Sequence, residues 1–397
     1  MQLTLEEMEM HAGVMGLATQ KAMQILVALG DIYGAKRLIP VSSVQIAGVS
    51  YDNLGEAGLQ FLSEMAEGGG KACVLTTLNP AGMDIENWQA LGIPPDFAEK
   101  QMQVLEAFTR MGITTTCTCT PYLAGNLPHY GEHLAWSESS AVCYANSIIG
   151  ARTNREGGPS ALAAALIRRT PEYGLHLPEN RLPTASFKVD ARLVENSDFG
   201  ALGKLIGEKI EASKAIPYIL GMQSVTQENL KSFCASLATY GGSALFHMRG
   251  ITPEANKINP PGEPLTISQS DLEIAIHSLN DATEAEVDFV SLGCPHLSLT
   301  EIARIAHLLV GRQVNKEFWI TTARTTKHSA DRMGYTRIIE EAGAKFAADT
   351  CCVVAPIRGR FSAMATDSAK ACYYAYTKNK FKTVFLPFDD VIRLALK

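Results

Sequence analysis

Apolar residues recur at helical spacing over 5–31, with Met8, Val14, Leu17, Met23, Leu26 and Leu29 among them, which predicts one long or bent helix. After Tyr33-Gly34 the pattern changes to a β-rich stretch over 38–46, followed by a second helix over 55–66. From there short apolar runs and helical periods alternate. Strands are predicted near 72–76, 113–117, 185–189, 218–220, 245–248, 289–292, 318–321 and 345–348. Helices are predicted near 97–110, 139–149, 160–168, 202–212, 227–239, 271–279, 300–309 and 330–342. Because two parallel strands need a crossover, usually a helix, this order predicts an α/β chain of layered α/β/α lobes with mainly parallel sheets. Its active site is then expected at strand carboxyl ends.

The 397 residues exceed the size at which one core stops growing, so two or more packed lobes are expected. No repeat or low-complexity linker fixes their boundaries; only Asn259-Pro260-Pro261-Gly262 and the proline-rich stretch 178–183 read as exposed connections. Hydrophobic residues make up 46% and charged residues 19%, which suits a compact enzyme rather than an extended or disordered chain. A net charge of -6 argues against a nucleic-acid or anionic-membrane surface. The acidic start, Met1-Gln2-Leu3-Thr4-Leu5-Glu6-Glu7, shows no leader, and no apolar run approaches the ~20 residues that cross a bilayer, so a cytoplasmic location is expected.

Chemistry enters with the nine cysteines, an odd number that speaks against a disulfide framework in a reducing compartment. Three cysteine-bearing segments each follow a short apolar run: Cys117-Thr118-Cys119-Thr120-Pro121, Gly293-Cys294-Pro295-His296 and Asp349-Thr350-Cys351-Cys352. If those runs are parallel strands, their ends converge on one crevice, where thiolates could hold an iron-sulfur cluster. The plainer reading is that buried cysteines fill a core.

Between Pro121 and Pro159 polar residues and glycines are dense, and His129, Glu132, His133, Glu138, Arg152, Asn154 and Arg155 suffice to bind and protonate a carboxylate-bearing substrate. Taken singly, Ser137 or Ser139 would cap a helix, Glu138 would complement its dipole, and the arginines would be surface ion partners. The segments 50–51, 76–82, 321–328 and 366–370 bring hydroxyls and cations to predicted strand exits and helix starts. P-loop, G-x-S-x-G and G-x-G-x-x-G patterns are all missing from the sequence.

Together, Ser50-Tyr51, Thr77-Leu78-Asn79-Pro80, the run from Cys119 to Leu123, the run GEHLAWSESS over 131–140, the run GARTNREGGP over 150–159 and Asp349-Thr350-Cys351 resemble the large subunit of aconitase X enzymes over nearly the whole chain. The resemblance implies a dehydratase with an aconitase-like fold and an iron-sulfur cluster, [4Fe-4S] in the first instance, held by Cys119, Cys294 and Cys351 with one iron open to substrate. Cys117 and Cys352 stand beside two of these and leave that choice open. Glu138, His133 and Ser50 are the catalytic candidates; Asn79, Arg152, Asn154, Arg155, Lys327, Ser368 and Lys370 are the substrate-binding ones. The swivelling domain of such enzymes is expected on a separate small subunit, which would bring a serine base, giving a heterodimer or its multimer.

Two substrates compete within this family: mevalonate 5-phosphate, which loses water to give trans-anhydromevalonate 5-phosphate in isoprenoid biosynthesis, and cis-3-hydroxy-L-proline. The resemblance favours the first, because the chain looks like a stand-alone large subunit and its segment 46–53 is nearer that type. A phosphate calls for cations such as Arg152, Arg155, Lys327 and Lys370, whereas an imino acid needs an acidic partner. Two readings from other classes are a non-catalytic scaffold subunit with cysteines as filler, and a zinc hydrolase using His129, His133 or His296.

Overall fold

The computed structural model describes residues 1–396. Its strands form three all-parallel sheets that follow one another along the chain, plus one antiparallel ribbon. The first region holds β1 (Leu38–Pro40), β2 (Ser43–Ile46), β3 (Leu75–Leu78), β4 (Leu134–Trp136) and β5 (Arg169–Pro171). There β1 and β5 form the ribbon, and the sheet runs β3-β2-β4. The second holds β6 (Ala185–Val189), β7 (Pro217–Leu220), β8 (His247–Met248) and β9 (Leu265–Ile267) in the order β8-β7-β6-β9. The third holds β10 (Phe289–Leu297), β11 (Glu317–Thr322), β12 (Lys345–Ala348), β13 (Ala363–Thr366) and β14 (Lys382–Phe385), ordered β12-β11-β10-β13-β14. The α/β layering with parallel sheets is therefore as the sequence pattern predicts.

Individual elements differ from that pattern for local reasons. The first helix breaks into Leu5–Ala12 and Leu17–Ile32, bent by 114°, where Gly13 takes a left-handed conformation that ends the first turn run. The stretch 38–46 divides into β1 and β2 in different sheets; Pro40 has no N–H to offer a continuing ladder. Residues 113–117 make only an isolated bridge, Thr77 with Thr114, because the Thr116 hydroxyl, 3.1 Å from Leu78 N, takes the bond a ladder carbonyl would accept. No single helix among the described residues is long and apolar enough to cross a membrane.

Packing joins the regions. The helix Gly158–Ile167 buries Ala161, Ala163, Ala164 and Ala165 completely, so small side chains let it sit tightly beside Met23 and Leu26 of the helix Leu17–Ile32. Burying a Met or Leu side chain of this kind stabilises by about 1.5–3 kcal/mol. Met83, Leu91 and Ile93 of the first region share an apolar cluster with Phe289, Trp319 and Phe381 of the third. Trp136 and Val142 share another with Phe199 and Phe233 of the second. The strand exits after β2, β3, β4, β12 and β13 carry Ser50, Asn79, Glu138, Cys351 and Ser368 respectively.

Candidate active site

Each cysteine loop is fixed by its own backbone device. Thr118 N–H bonds Leu78 O at 2.9 Å, tying the Cys119 loop to the end of β3. Cys294 lies where β10 slips register against β11, between Leu292 and Leu297. Gly293 there has φ +109, and a Cβ on it would stand 2.2 Å from Thr321 O, so only glycine permits the approach. Asp349 before Cys351 is also left-handed, with φ +65. Its carbonyl accepts from Ala81 N at 2.8 Å, and its carboxylate accepts from Arg324 Nε at 3.0 Å. Arg324 also reaches Asp84 at 2.6 Å, which locks the third sheet's loop to the first region.

The three thiols share one electrostatic neighbourhood. Burial pushes Cys119 up to about 12, with Glu138 and Cys351 adding to the effect. Burial also raises Cys294 well above its ordinary value, opposed by Lys370 and reinforced by Cys351, Cys352 and Cys119. Cys351 is raised by burial and drawn back by backbone N–H groups and Lys370. Thus each thiol lies within electrostatic reach of Lys370 and of at least one other. Cys117 instead senses Asp349 and Arg324. Cys352 packs into the apolar cluster of Phe289 and Trp319, where its thiol meets Ser291. Cys143 contacts Cys234 and Cys372 contacts Thr383, as core fillers do, while Cys73 bonds Leu166 O at 3.1 Å.

The lysine that the three thiols sense belongs to a buried ion pair from chain segments 232 residues apart: Lys370 Nζ donates to Glu138 Oε1 at 2.6 Å. Glu138 and Lys370 are 5% and 8% exposed. Glu138 follows β4 and caps the helix Ser139–Tyr144 itself, accepting from Ala141 N and the Ser140 hydroxyl, each at 2.6 Å; neither Ser137 nor Ser139 is the cap. Burial opposes its charge, but Lys370 and these donors hold its carboxyl below the ordinary value. Lys370 stands in the first turn of the helix Ala369–Tyr374, which the Ser368 hydroxyl caps through Ala371 N at 3.1 Å. Burial works against its charge too, yet Glu138, Cys294 and the neighbouring groups raise it overall. Gln45 Oε1 accepts from Glu138 N at 2.9 Å, and its amide N–H reaches Asn79 Oδ1 at 3.4 Å, so Asn79 joins the group. Ser50 donates to Val354 O at 2.9 Å on the Cys351 loop. Beside it opens a cavity of about 680 Å³ lined by Asp52, Asn53, Ala355, Arg358, Tyr374 and Lys378.

Other predicted residues are placed elsewhere. His133 enters β4 at its amino end, five residues and roughly 16 Å of extended chain from Glu138. It contacts His176 at 3.0 Å, ring nitrogen to ring nitrogen. The segment 152–155 runs parallel to β4, setting Arg152 beside His133 and Arg155 beside Trp136. Arg152 is therefore at the far end with His176, whereas Arg155 is at the Glu138 end, exposed and without an ion-pair partner among the described residues. Asn154 is structural, bonding Tyr173 O at 3.0 Å and Leu175 N at 2.8 Å. Lys327 pairs with Asp331 one turn along its own helix at 2.9 Å.

Among the described residues no three His, Cys, Asp or Glu side chains converge on a single metal ion. His129 pairs with Glu132 in solvent, His133 contacts His176, and both ring nitrogens of His296 face Thr118 and Thr350 O, so the three histidines are committed to separate partners. A cubane cluster makes a different demand, since it bonds one thiolate to each of three irons and so spreads them. Two buried thiols, Cys119 and Cys351, and the partly exposed Cys294, all within electrostatic reach of Lys370, fit that demand, since the cation and the irons would offset thiolate charge that burial otherwise disfavours. Two buried hydroxyls, Ser137 Oγ beside Glu138 and Thr350 Oγ1 beside Cys351, have no protein partner. Sequence reasoning missed Gln45, Thr118 and Lys231; Gln45 had one usable mark, a polar side chain inside the otherwise apolar run Val44-Gln45-Ile46-Ala47.

Known proteins match this sequence and fold along nearly the full chain. The profiles described as aconitase X first, second and third domain match residues 1–179, 183–277 and 287–397, one to each sheet. The phosphomevalonate dehydratase large subunit of Methanocaldococcus jannaschii is 45% identical, the alignment covering 99% of this chain and 100% of that protein. The cis-3-hydroxy-L-proline dehydratase of Hypocrea jecorina is 34% identical over 91% of this chain and only 63% of its own length. The crystal structure of Thermococcus kodakaraensis aconitase X in its holo-form superposes with a TM-score of 0.93 at 45% identity, covering 100% of both chains. Three sheets in the same order, matched end to end by sequence and by coordinates, place this chain in the aconitase X family.

Proposed function

We propose that the chain is the large subunit of a phosphomevalonate dehydratase, removing water from mevalonate 5-phosphate to give trans-anhydromevalonate 5-phosphate. The reading is supported by one shared feature of Cys119, Cys294 and Cys351: each thiol feels the charge of Lys370, which is itself paired with Glu138. These residues would hold an iron-sulfur cluster, and when bound it supplies an open iron that acts as a Lewis acid toward the substrate hydroxyl. In the reaction a C–H bond next to the carboxylate and the neighbouring C–OH bond break, a C=C bond forms, and water leaves with no net redox change.

Lys370 keeps a positive charge where the thiols and a departing hydroxyl need one, and Glu138 holds its ammonium in place. Their mutual bond leaves neither free to take a proton from carbon, which in this reading falls to a serine of the separate small subunit. Relatives carrying the words large subunit support such a partner. Arg155, at the same strand end and unpaired, and Arg358 in the adjoining cavity are cations that suit a phosphate. The test is to assemble the chain anaerobically with its small subunit and offer both substrates. Loss of water from mevalonate 5-phosphate bears the proposal out; turnover of cis-3-hydroxy-L-proline alone replaces it.

A further inference from the structure

His296 touches all three cysteine loops. It stands two residues after Cys294 and is 0% exposed. Its Nδ1 lies 3.0 Å from Thr118 Oγ1, its Nε2 lies 3.0 Å from Thr350 O, and its backbone N–H points at Cys119 Sγ, 3.2 Å away. Thr118 and Thr350 immediately precede Cys119 and Cys351. A carbonyl only accepts, so Nε2 bears the proton, and Nδ1 of the neutral ring accepts from the Thr118 hydroxyl. The histidine is itself anchored from behind. Lys231 Nζ donates to His296 O at 2.9 Å and pairs at 2.5 Å with Glu301, which also accepts from Ser298 N–H at 2.8 Å.

We propose that His296 is a positioning residue for the cluster: its ring sets the spacing of the loops bearing Cys119 and Cys351 against Cys294, and its backbone N–H donates to the Cys119 sulfur. This rests on the cluster reading above. A histidine that merely filled the core would affect stability alone. A positioning histidine must also change how tightly iron is held and what the irons sense, because partners one bond removed from a ligand typically alter metal affinity 10–100-fold.

The experiment uses the full chain, reconstituted anaerobically with ferrous iron and sulfide, as wild type, Thr118→Val, His296→Asn, His296→Ala and Thr118→Val/His296→Ala. Three quantities are read: the rate at which a chelator removes iron, the EPR spectrum of the reduced cluster, and the melting temperature of the iron-free protein. Thr118→Val keeps shape but strands the buried partners of its hydroxyl, His296 Nδ1 and Thr120 N–H, so its iron-free protein should melt below wild type, and it should also release iron about 10-fold faster with an altered EPR spectrum, which lost stability alone does not produce. His296→Ala should release iron about 100-fold faster, His296→Asn less so because it keeps one bond, and the double variant no faster than His296→Ala. Wild type that loads iron while Thr118→Val and His296→Ala match it in release and spectrum overturns this proposal and leaves the cluster reading standing. Wild type that takes up no iron overturns both.

Discussion

The Glu138–Lys370 pair can be broken one side at a time. Lys370→Met keeps most of the side-chain volume and removes the charge, leaving a carboxylate that is 5% exposed with only the Ser140 hydroxyl and two of its neighbours' N–H and O–H donors for support. Removing one partner of a buried pair costs about 3–5 kcal/mol, because the other charge stays desolvated. The surviving donors at 2.6 Å place the expected cost at the lower end, about 3 kcal/mol. Glu138→Gln/Lys370→Met removes both desolvated charges, so it should cost less than the sum of the singles by about 0.5–3 kcal/mol, the range for residues in direct contact. Urea unfolding of the iron-free chain, followed by the fluorescence of its three tryptophans, one of them Trp136 two residues from Glu138, reads these differences. A single variant within about 0.5 kcal/mol of wild type, or costs that simply add, would show that the pair is solvated and would refute the reasoning.

Arg155→Ala should raise KM for mevalonate 5-phosphate about 10–100-fold in the assembled enzyme, the loss of a charge-assisted bond of about 1.5–3 kcal/mol, with urea stability unchanged; an unaltered KM removes Arg155 from the phosphate site. Gly293→Ala places a methyl 2.2 Å from Thr321 O in a left-handed backbone, so the iron-free chain should lose about 1–3 kcal/mol of stability, measured by urea midpoint; a neutral result would mean the β10 slip relaxes freely. Burial, then His133, Arg181 and Arg152, lowers His176 to about 3 from the ordinary 6.5. The unfolded chain therefore binds this proton first, and the stability from a neutral His176 is full above about pH 6.5 and lost as pH falls toward 3, at up to about 1.36 kcal/mol per unit. His176→Gln should flatten the acid limb of urea stability in that window, and an unchanged slope would show that His176 titrates normally in the fold.

What the sequence discloses follows the range over which each feature is decided. Parallel α/β layering is a matter of period and order, both local, and it is visible in the alternation of runs such as 185–189, 202–212 and 218–220. Short buried strands are harder: β4 has three residues, Leu134, Ala135 and Trp136, all inside, so no alternation marks it, yet it is the strand that delivers Glu138. The same strand separates Arg155 from His133 and Arg152, a distinction invisible in a motif that lists all three within 23 residues. Lys327 shows the opposite error, since a cation at a helix start reads as an anion site until its i,i+4 neighbour Asp331 is seen to hold it. His296 and Lys231 gain their roles only from tertiary contacts with residues up to 178 positions away, which no local pattern encodes.

The proposed chemistry requires Cys119, Cys294 and Cys351 to hold a cluster and leave one iron for substrate. Mössbauer spectroscopy of the iron-57-loaded chain, assembled with its small subunit and recorded with and without mevalonate 5-phosphate, addresses it directly. The expected result is a four-iron cluster in which about a quarter of the signal moves when substrate is added, and loss of the cluster in Cys119→Ser, Cys294→Ser or Cys351→Ser. Iron that is absent, that stays put on adding substrate, or that survives removal of any of these three cysteines would contradict it.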